Sequence, residues 1–184
     1  GGEVFEAAGG PAVNIPGGET FPSLQTGVID AAEWVGPFND LVLGFHQVAK
    51  SYYFPGWQEP GPNLELIINQ DAFNELPKDL QAMLRNASLA VNNDVLSEYT
   101  ARNNQALKEL VEVHQVQVRR LPDDVLAALK VISDEKVQAL VGDDPLNQRI
   151  FDSYQAYRRS VMDYNELSER AFHNTRAKLE GYAP

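Results

Sequence analysis

The sequence predicts an α/β fold with an extended helical C-terminal region, and three observations lead to this prediction. The 184 residues are 43% hydrophobic and 22% charged, a composition typical of a folded globular protein with a sizeable core. Residues 1–69 contain short apolar runs separated by glycine and proline, which favours strands alternating with short helices. Residues 70–184 repeat apolar side chains at three- to four-residue spacing, which is the helical period.

The first 69 residues are expected to hold four strands and two helices. Each predicted strand joins β-branched or aromatic residues to a neighbouring turn signal. The predicted strands are 12–15, 28–35, 52–54 and 64–68. One helix is predicted over 19–25 and is ended by Gly27, and another runs from Pro37 to Val48, because proline suits the first helical turn.

The remaining residues are expected to form helices and one strand. Asp71 is expected to cap a short turn, and Pro77 starts a long helix that continues towards Leu110. Alternating apolar residues predict a strand over 116–121, and a helix restarts after it and runs through Ile132. Acidic caps then precede a final helix over 145–179, which keeps one apolar phase throughout.

Composition excludes several classes of function. The formal net charge of −11 repels phosphate backbones and anionic lipids, so nucleic acids and membrane surfaces are poor partners. The absence of cysteine excludes disulfides, zinc–thiolate sites, iron–sulfur clusters and thiol nucleophiles. The three histidines His46, His114 and His173 lack the spacing of metal ligands, and the glycine-rich stretches lack the pattern of a phosphate loop.

Two aromatic and acidic clusters are the best candidates for a binding site. Glu33 and Trp34 stand at the C-terminal end of a predicted strand and just before a proline-started helix, at the kind of edge where open α/β sheets bind ligands. Gln58 and Glu59 lie in a second cluster, residues 53–62, between prolines. Two carboxylates, an amide and backbone carbonyls form an all-oxygen set that suits a hard cation such as Na⁺ or Ca²⁺.

Three other interpretations of these residues stay open at this point. Trp34 and Trp57 could pack in the core while Glu33 and Glu59 are solvated. The two glutamates could instead form an acid–base pair, as in glycoside hydrolysis, or the chain could be a helical dimerisation module. Stabilisation by metal ions would distinguish a cation-binding site or an acid–base pair from the purely structural interpretations. Hydrolytic turnover would then distinguish an enzyme from a binding protein.

The same clusters resemble the periplasmic solute receptors of tripartite ATP-independent periplasmic (TRAP) transporters, the DctP-type family. The resemblance is carried by Phe-Pro-Ser-Leu-Gln-Thr-Gly-Val-Ile-Asp-Ala-Ala-Glu-Trp at 21–34 and by Gly-Pro-Phe-Asn-Asp at 36–40. Residues 33–34 and 53–61 resemble, more narrowly, the branch that binds 2-oxo acids, lactate and related monocarboxylates. The resemblance covers nearly the whole chain.

The resemblance implies a two-lobed fold similar to that of periplasmic binding proteins, of which this chain corresponds to the C-terminal half. The first lobe, a signal peptide, a carboxylate-binding arginine and an amide metal ligand are then expected before Gly1. The implied function is that of a periplasmic receptor, which delivers a small organic acid to a membrane permease and needs no catalytic residue.

The resemblance also implies a role for each candidate residue. Glu33 would give a carboxylate oxygen to a bound Na⁺ or Ca²⁺, and Trp34 would give its backbone carbonyl while its indole walls the ligand. Glu59 is the expected second side-chain ligand of the cation. Gln58 is the alternative metal ligand and an expected contact of the organic acid.

Three segments with different roles follow from this hypothesis. Residues 1–69 would contribute to the ligand cleft, residues 70–142 would form a mainly helical region, and residues 143–184 would form a long dimerisation helix. Large aromatic residues along 145–179 are typical of a protein interface, and receptors of the resembled branch dimerise through such a helix. The alternative is that this face packs against the chain's own helices.

Overall fold

The computed structural model describes residues 1–59, 61 and 64–181. The chain forms two compact units, Gly1–Leu129 (unit 1) and Lys130–Pro184 (unit 2). The segment boundaries expected near residues 69 and 142 concern the roles of the segments, and they stay predictions.

Helices dominate both units. In chain order the elements are α1 (Gly2–Ala7), α2 (Gly17–Thr26), α3 (Pro37–Val42), a 3₁₀ turn (Phe45–Gln47), β1 (Ser51–Phe54), α4 (Gln70–Glu75), α5 (Lys78–Glu112), β2 (Gln117–Arg120), α6 (Asp123–Val141), α7 (Pro145–Leu167) and α8 (Glu169–Leu179). Across the described residues, no helix combines the length and the apolar character that crossing a membrane requires.

The two strands of unit 1 form a parallel pair. The register runs from Ser51 opposite Gln117 to Phe54 opposite Arg120. The connection between them passes through α4 and α5, because parallel strands need a long crossover. The strands predicted over 52–54 and 116–121 are therefore confirmed.

The longest element of unit 1 is the 35-residue helix α5. Its length is about 52 Å at 1.5 Å per residue. Ala106 and Leu110 on α5 are buried, as are Phe45 from the 3₁₀ turn and Val116 before β2. α3 packs against α5, so the start of α3 and the loop before it are positioned by the middle of this long helix.

Three of the four strands predicted in the first 69 residues are wrong. Residues 12–15, 28–35 and 64–68 are described but have no strand structure. A strand needs a neighbouring backbone to complete its hydrogen bonds, and within the described residues these segments have no ladder partner. Most of their apolar side chains are exposed instead, with Val28 74% and Leu64 82% accessible.

Two helix boundaries also differ from the prediction. The helix that starts at Pro37 ends at Val42 rather than Val48, because Gly44 adopts a left-handed conformation (φ 74°) before the 3₁₀ turn. Asn69, and not Asp71, caps α4: its Oδ1 atom accepts hydrogen bonds from the backbone N–H groups of Asp71 and Ala72, both at 3.0 Å.

In unit 2 the predicted acidic cap is confirmed, but the single helix over 145–179 is wrong. Asp144 Oδ1 accepts from the backbone N–H of Leu146 at 2.7 Å and caps α7. Ser168 leaves the helical conformation (φ −113°, ψ −113°), and its hydroxyl donates to the Tyr164 carbonyl at 2.9 Å. Two helices, α7 and α8, result, and they meet at Ser168.

Candidate functional site

The Glu33–Trp34 loop lies between α2 and α3 rather than at the end of a strand. The edge of the Trp34 indole meets the Phe45 ring at a centroid distance of 6.4 Å and an interplanar angle of 86°. The indole also lies against the backbone of Gly17, because a Cβ atom at that position would come within 2.4 Å of Trp34 Cη2. Trp34 nevertheless stays 38% exposed and Glu33 is exposed, so Trp34 is not a core residue.

The Gln58–Glu59 segment follows β1 through a tight turn. A Cβ atom on Gly56 would come within 2.9 Å of the Glu59 carbonyl oxygen, so glycine permits the close approach. Gln58 is half-buried and its side chain lies beside the backbone of Gly1, whereas Glu59 is exposed. Pro60 and Pro62, which complete the cluster in the sequence, lie outside the described residues.

A partly buried hydrogen bond joins the elements that carry these two segments. The Tyr52 hydroxyl on β1 donates to Asp40 Oδ2 on α3 at 2.5 Å, and Asp40 is only 7% exposed. Burial raises the pKa of the Asp40 carboxyl, and the charge of Glu33 adds to that change. The hydrogen bond from Tyr52 and the nearby backbone of Gly36 oppose it. The pKa of Tyr52 is raised by burial and by its bond to Asp40.

A second contact fixes the start of α3. The backbone N–H of Phe38 donates to Asn103 Oδ1 on α5 at 2.9 Å, across 65 residues of sequence. Because α3 has no side-chain cap of its own at Gly36, Asn103 satisfies one of the open N–H groups of its first turn. Sequence reasoning missed Asp40, Tyr52 and Asn103, since no pattern in the sequence links positions this far apart.

The donor set fits a hard cation by its chemistry. The carboxylates of Glu33 and Glu59 are exposed and available to a ligand. Both residues belong to unit 1, and in the sequence Glu33 precedes Asp40 while Glu59 follows Tyr52. No hydrogen bond or ion pair within the described ranges joins Glu33 or Trp34 directly to Gln58 or Glu59. Those ranges also hold no cluster of three or more His, Asp or Glu side chains that could bind a metal ion. A site here therefore depends on amide and carbonyl oxygens in addition to the two carboxylates.

The arginines of unit 1 are engaged in other contacts. Arg102 pairs with Glu98 at 2.5 Å and places its guanidinium 4.9 Å from the centre of the Phe38 ring. Arg85 lies 4.9 Å above the Phe73 ring. None of these contacts involves a candidate site residue.

Solved structures of TRAP periplasmic solute-binding proteins share this fold. One from Colwellia psychrerythraea, with bound calcium and pyruvate, is 38% identical and has a TM-score of 0.89 over 95% of this chain and 53% of its own. One from Pseudoalteromonas atlantica, with sodium and pyruvate, is 34% identical (TM-score 0.83, 94% of this chain and 53% of its own). One from Bordetella bronchiseptica, a mixed-occupancy dimer with calcium and picolinate, is 31% identical (TM-score 0.92, 100% and 54%). The fold is that of one half of such a protein.

The family model for bacterial extracellular solute-binding protein, family 7 (DctP), matches residues 1–144, and the chain belongs to this family. A monocarboxylate 2-oxoacid-binding periplasmic protein of Nostoc is 33% identical over 174 residues, which are 95% of this chain and 48% of the relative. The chain spans about half the length of the curated relatives it matches.

Proposed function

We propose that this chain forms one side of the binding site of a TRAP-type periplasmic receptor for a 2-oxo acid or a similar small monocarboxylate. A cation, Na⁺ or Ca²⁺, would bridge the protein and the acid. The observation that carries the proposal is the 38% and 34% identity, over nearly the whole chain, to two solved receptors that hold pyruvate together with calcium or sodium.

The residues of the two candidate segments supply the functional groups that this proposal needs. Glu33 gives a carboxylate oxygen to the cation, and Trp34 gives its carbonyl oxygen while its half-exposed indole forms an apolar wall for the acid. Glu59 is the second side-chain ligand, and Gln58 is the alternative ligand or a direct contact of the acid. A bound cation supplies local positive charge, which a chain with a net charge of −11 needs to receive an anion.

Binding without chemical turnover is the proposed activity, since the named relatives are described as binding proteins. We propose a periplasmic location, with a signal peptide in a segment preceding this chain. We also propose that the membrane permease of a TRAP transporter receives the acid.

Calorimetry of the protein at its natural length tests the proposal. Pyruvate is titrated into protein that has been dialysed against a chelator. Separate samples contain Ca²⁺, Na⁺ or neither cation, with choline replacing Na⁺ where it is left out. We expect binding heat only when Ca²⁺ or Na⁺ is present. Equal pyruvate affinity with and without both cations would contradict the cation-bridged site. In a separate assay, slow hydrolysis of a glycoside would favour the acid–base pair instead.

We further propose a homodimer formed through α7 and α8. The aromatic side chains of this face stay uncovered in unit 2, with Tyr154 60%, Tyr157 72% and Tyr164 70% exposed. Tyr154 and Tyr157 line a shallow depression along α7 together with Leu146 and Ile150. Exposed aromatic side chains at helical spacing are typical of interfaces, and the Bordetella relative is described as a dimer.

Light scattering tests the dimer with a matched pair of variants. Tyr157→Glu places a charge within the aromatic face and is expected to give a monomer at micromolar concentration. Arg159→Glu introduces a negative charge at an exposed position on the opposite side of the same helix and is expected to leave the dimer intact. A monomeric wild-type protein, or a dimer in both variants, would contradict this interface.

A further inference from the structure

The two candidate segments of the site are carried by different elements of unit 1. Glu33 and Trp34 precede α3 by a few residues, whereas Gln58 and Glu59 follow β1 after one turn. A cation held by both segments fixes their separation within a few tenths of an ångström, because ligand distances vary little. Something in the fold must therefore set the position of α3 relative to β1.

The Tyr52–Asp40 hydrogen bond is the contact that joins these two elements side chain to side chain. It is 2.5 Å long and partly buried, and the acceptor carboxylate is 7% exposed. α3 has only six residues and no side-chain cap of its own, so its position depends on contacts with other elements. Asn103 holds the first turn of α3 against α5, and Tyr52 holds the next residues against β1.

The other oxygen of Asp40 makes this arrangement unusual. Asp40 Oδ1 is buried and has no hydrogen-bond partner among the described residues. A buried, incompletely satisfied carboxylate costs stability, and burial raises its pKa accordingly. An apolar pair of the same shape would cost less, so stability alone does not explain a carboxylate at this position.

We propose that Tyr52 and Asp40 are positioning residues, which hold the Glu33–Trp34 segment at a fixed distance from the Gln58–Glu59 segment. They act through the hydrogen bond between α3 and β1 and do not touch the cation or the acid. This inference rests on the proposed function for its effect on binding, but the coupling of the two segments can be measured without any ligand.

The test compares Tyr52→Phe with Ser51→Ala in the protein at its natural length. Tyr52→Phe keeps the ring and removes the hydroxyl that donates to Asp40. Ser51 is on the same strand and is exposed, so its variant removes a hydroxyl without breaking this bond. Hydrogen exchange of the Phe38 and Leu43 backbone amides, which donate to Asn103 and Asn39 and so report on α3, is measured without ligand for both variants. The pyruvate dissociation constant in saturating Ca²⁺ is measured for both as well.

For Tyr52→Phe we expect exchange at the Phe38 and Leu43 amides and the pyruvate dissociation constant each to rise at least about tenfold. For Ser51→Ala we expect both to stay within about twofold of the wild type. Asp40→Asn keeps an acceptor oxygen for Tyr52, so exchange within about threefold of the wild type is expected, and a tenfold rise would contradict the assigned bond.

The remaining outcomes separate this inference from the proposed function. Unchanged exchange in Tyr52→Phe would overturn the inference, whatever the affinity. Faster exchange with unchanged pyruvate affinity would also overturn it, because the bond would then be structural only. Faster exchange in a protein whose wild type binds no pyruvate with either cation would support the coupling of the segments and contradict the proposed function.

Discussion

The contact between Trp34 and Gly17 gives a prediction whose size follows from the structure. A Cβ atom at Gly17 would lie 2.4, 3.1 and 3.2 Å from three carbons of the Trp34 indole. Ordinary carbon contacts are about 3.5–4.0 Å, so the indole must move by about 1 Å or more in Gly17→Ala. A Cβ atom at Gly18, the next residue of α2, would have no heavy atom within 4 Å, and Gly18→Ala is therefore the matched control.

The two variants are expected to differ by the energy of that overlap. Overpacking of this kind costs about 1–3 kcal/mol, while replacing glycine by alanine within a helix stabilises by about 0.5–1 kcal/mol. Gly18→Ala should therefore be neutral or slightly stabilised, and Gly17→Ala should be less stable than Gly18→Ala by about 1–3 kcal/mol. Because Trp34 is 38% exposed, its indole can also swing outwards, which lowers the stability cost but removes the wall of the site.

Urea unfolding and pyruvate calorimetry, with the protein at its natural length, distinguish these routes. A clash that is accommodated in place lowers the urea midpoint of Gly17→Ala, and an indole that swings outwards weakens pyruvate binding. We expect at least one of the two changes, and neither in Gly18→Ala. If the two variants match in both midpoint and affinity, Trp34 does not occupy the position against Gly17 from which the overlap is derived.

Two further predictions concern acid sensitivity and completeness. The His46 and His114 rings stack at 3.9 Å, and burial, the charge of His114 and the charge of Lys50 lower the pKa of His46, against the opposing effect of Glu109. In the unfolded chain His46 has its ordinary pKa of 6.5, so it binds a proton there at a higher pH than in the folded protein. The free energy of unfolding should therefore fall as the pH drops from about 6.5 through the lower pKa of folded His46. The urea midpoint of His46→Gln should depend less on pH between 7.5 and 5.5 than that of the wild type, and His173→Gln, at an exposed histidine, should leave the dependence unchanged. Secondly, the 184-residue chain alone should bind pyruvate at least ~100-fold more weakly than the natural-length protein. The reason is that the carboxylate-binding arginine expected before Gly1 would form a charge-assisted pair with the acid, which alone contributes a few kcal/mol. Micromolar binding by the chain alone would contradict this prediction.

The elements that could be predicted from the sequence are those whose pattern is completed by their own residues. The long periodic run after Pro77 became α5, and the proline- and aspartate-marked start at 144–145 became α7, because helices satisfy their hydrogen bonds internally. The strand signal at 52–54 was also correct, since 117–120 provides its parallel partner.

The strand signals at 12–15, 28–35 and 64–68 show the limit of this reasoning. Their apolar, β-branched residues have the composition of strands, but composition does not supply a partner backbone. The expectation that Glu33 ends a strand failed for the same reason. The residue pair Glu33–Trp34 remains a site candidate because of its loop position, its exposure and the family to which the chain belongs.

The contacts that position the site were beyond sequence patterns. Asp40 and Tyr52 are 12 residues apart on a helix and a strand, and Phe38 and Asn103 are 65 residues apart. Neither a helical nor a strand period relates such positions, because tertiary packing of α3 brings them together. Asp40 has the sequence context of an ordinary first-turn acidic residue, and only its 7% exposure distinguishes it.

The most direct test of the proposed cation-bridged site is the effect of Glu33 on cation-dependent binding. Pyruvate is titrated calorimetrically into wild-type protein, Glu33→Ala and Glu135→Ala, each at natural length and with saturating Ca²⁺. Glu135 is an exposed carboxylate on α6, so its variant controls for the loss of one negative charge. We predict that Glu33→Ala abolishes Ca²⁺-dependent binding while Glu135→Ala binds like the wild type, and wild-type affinity in Glu33→Ala would contradict the proposed site.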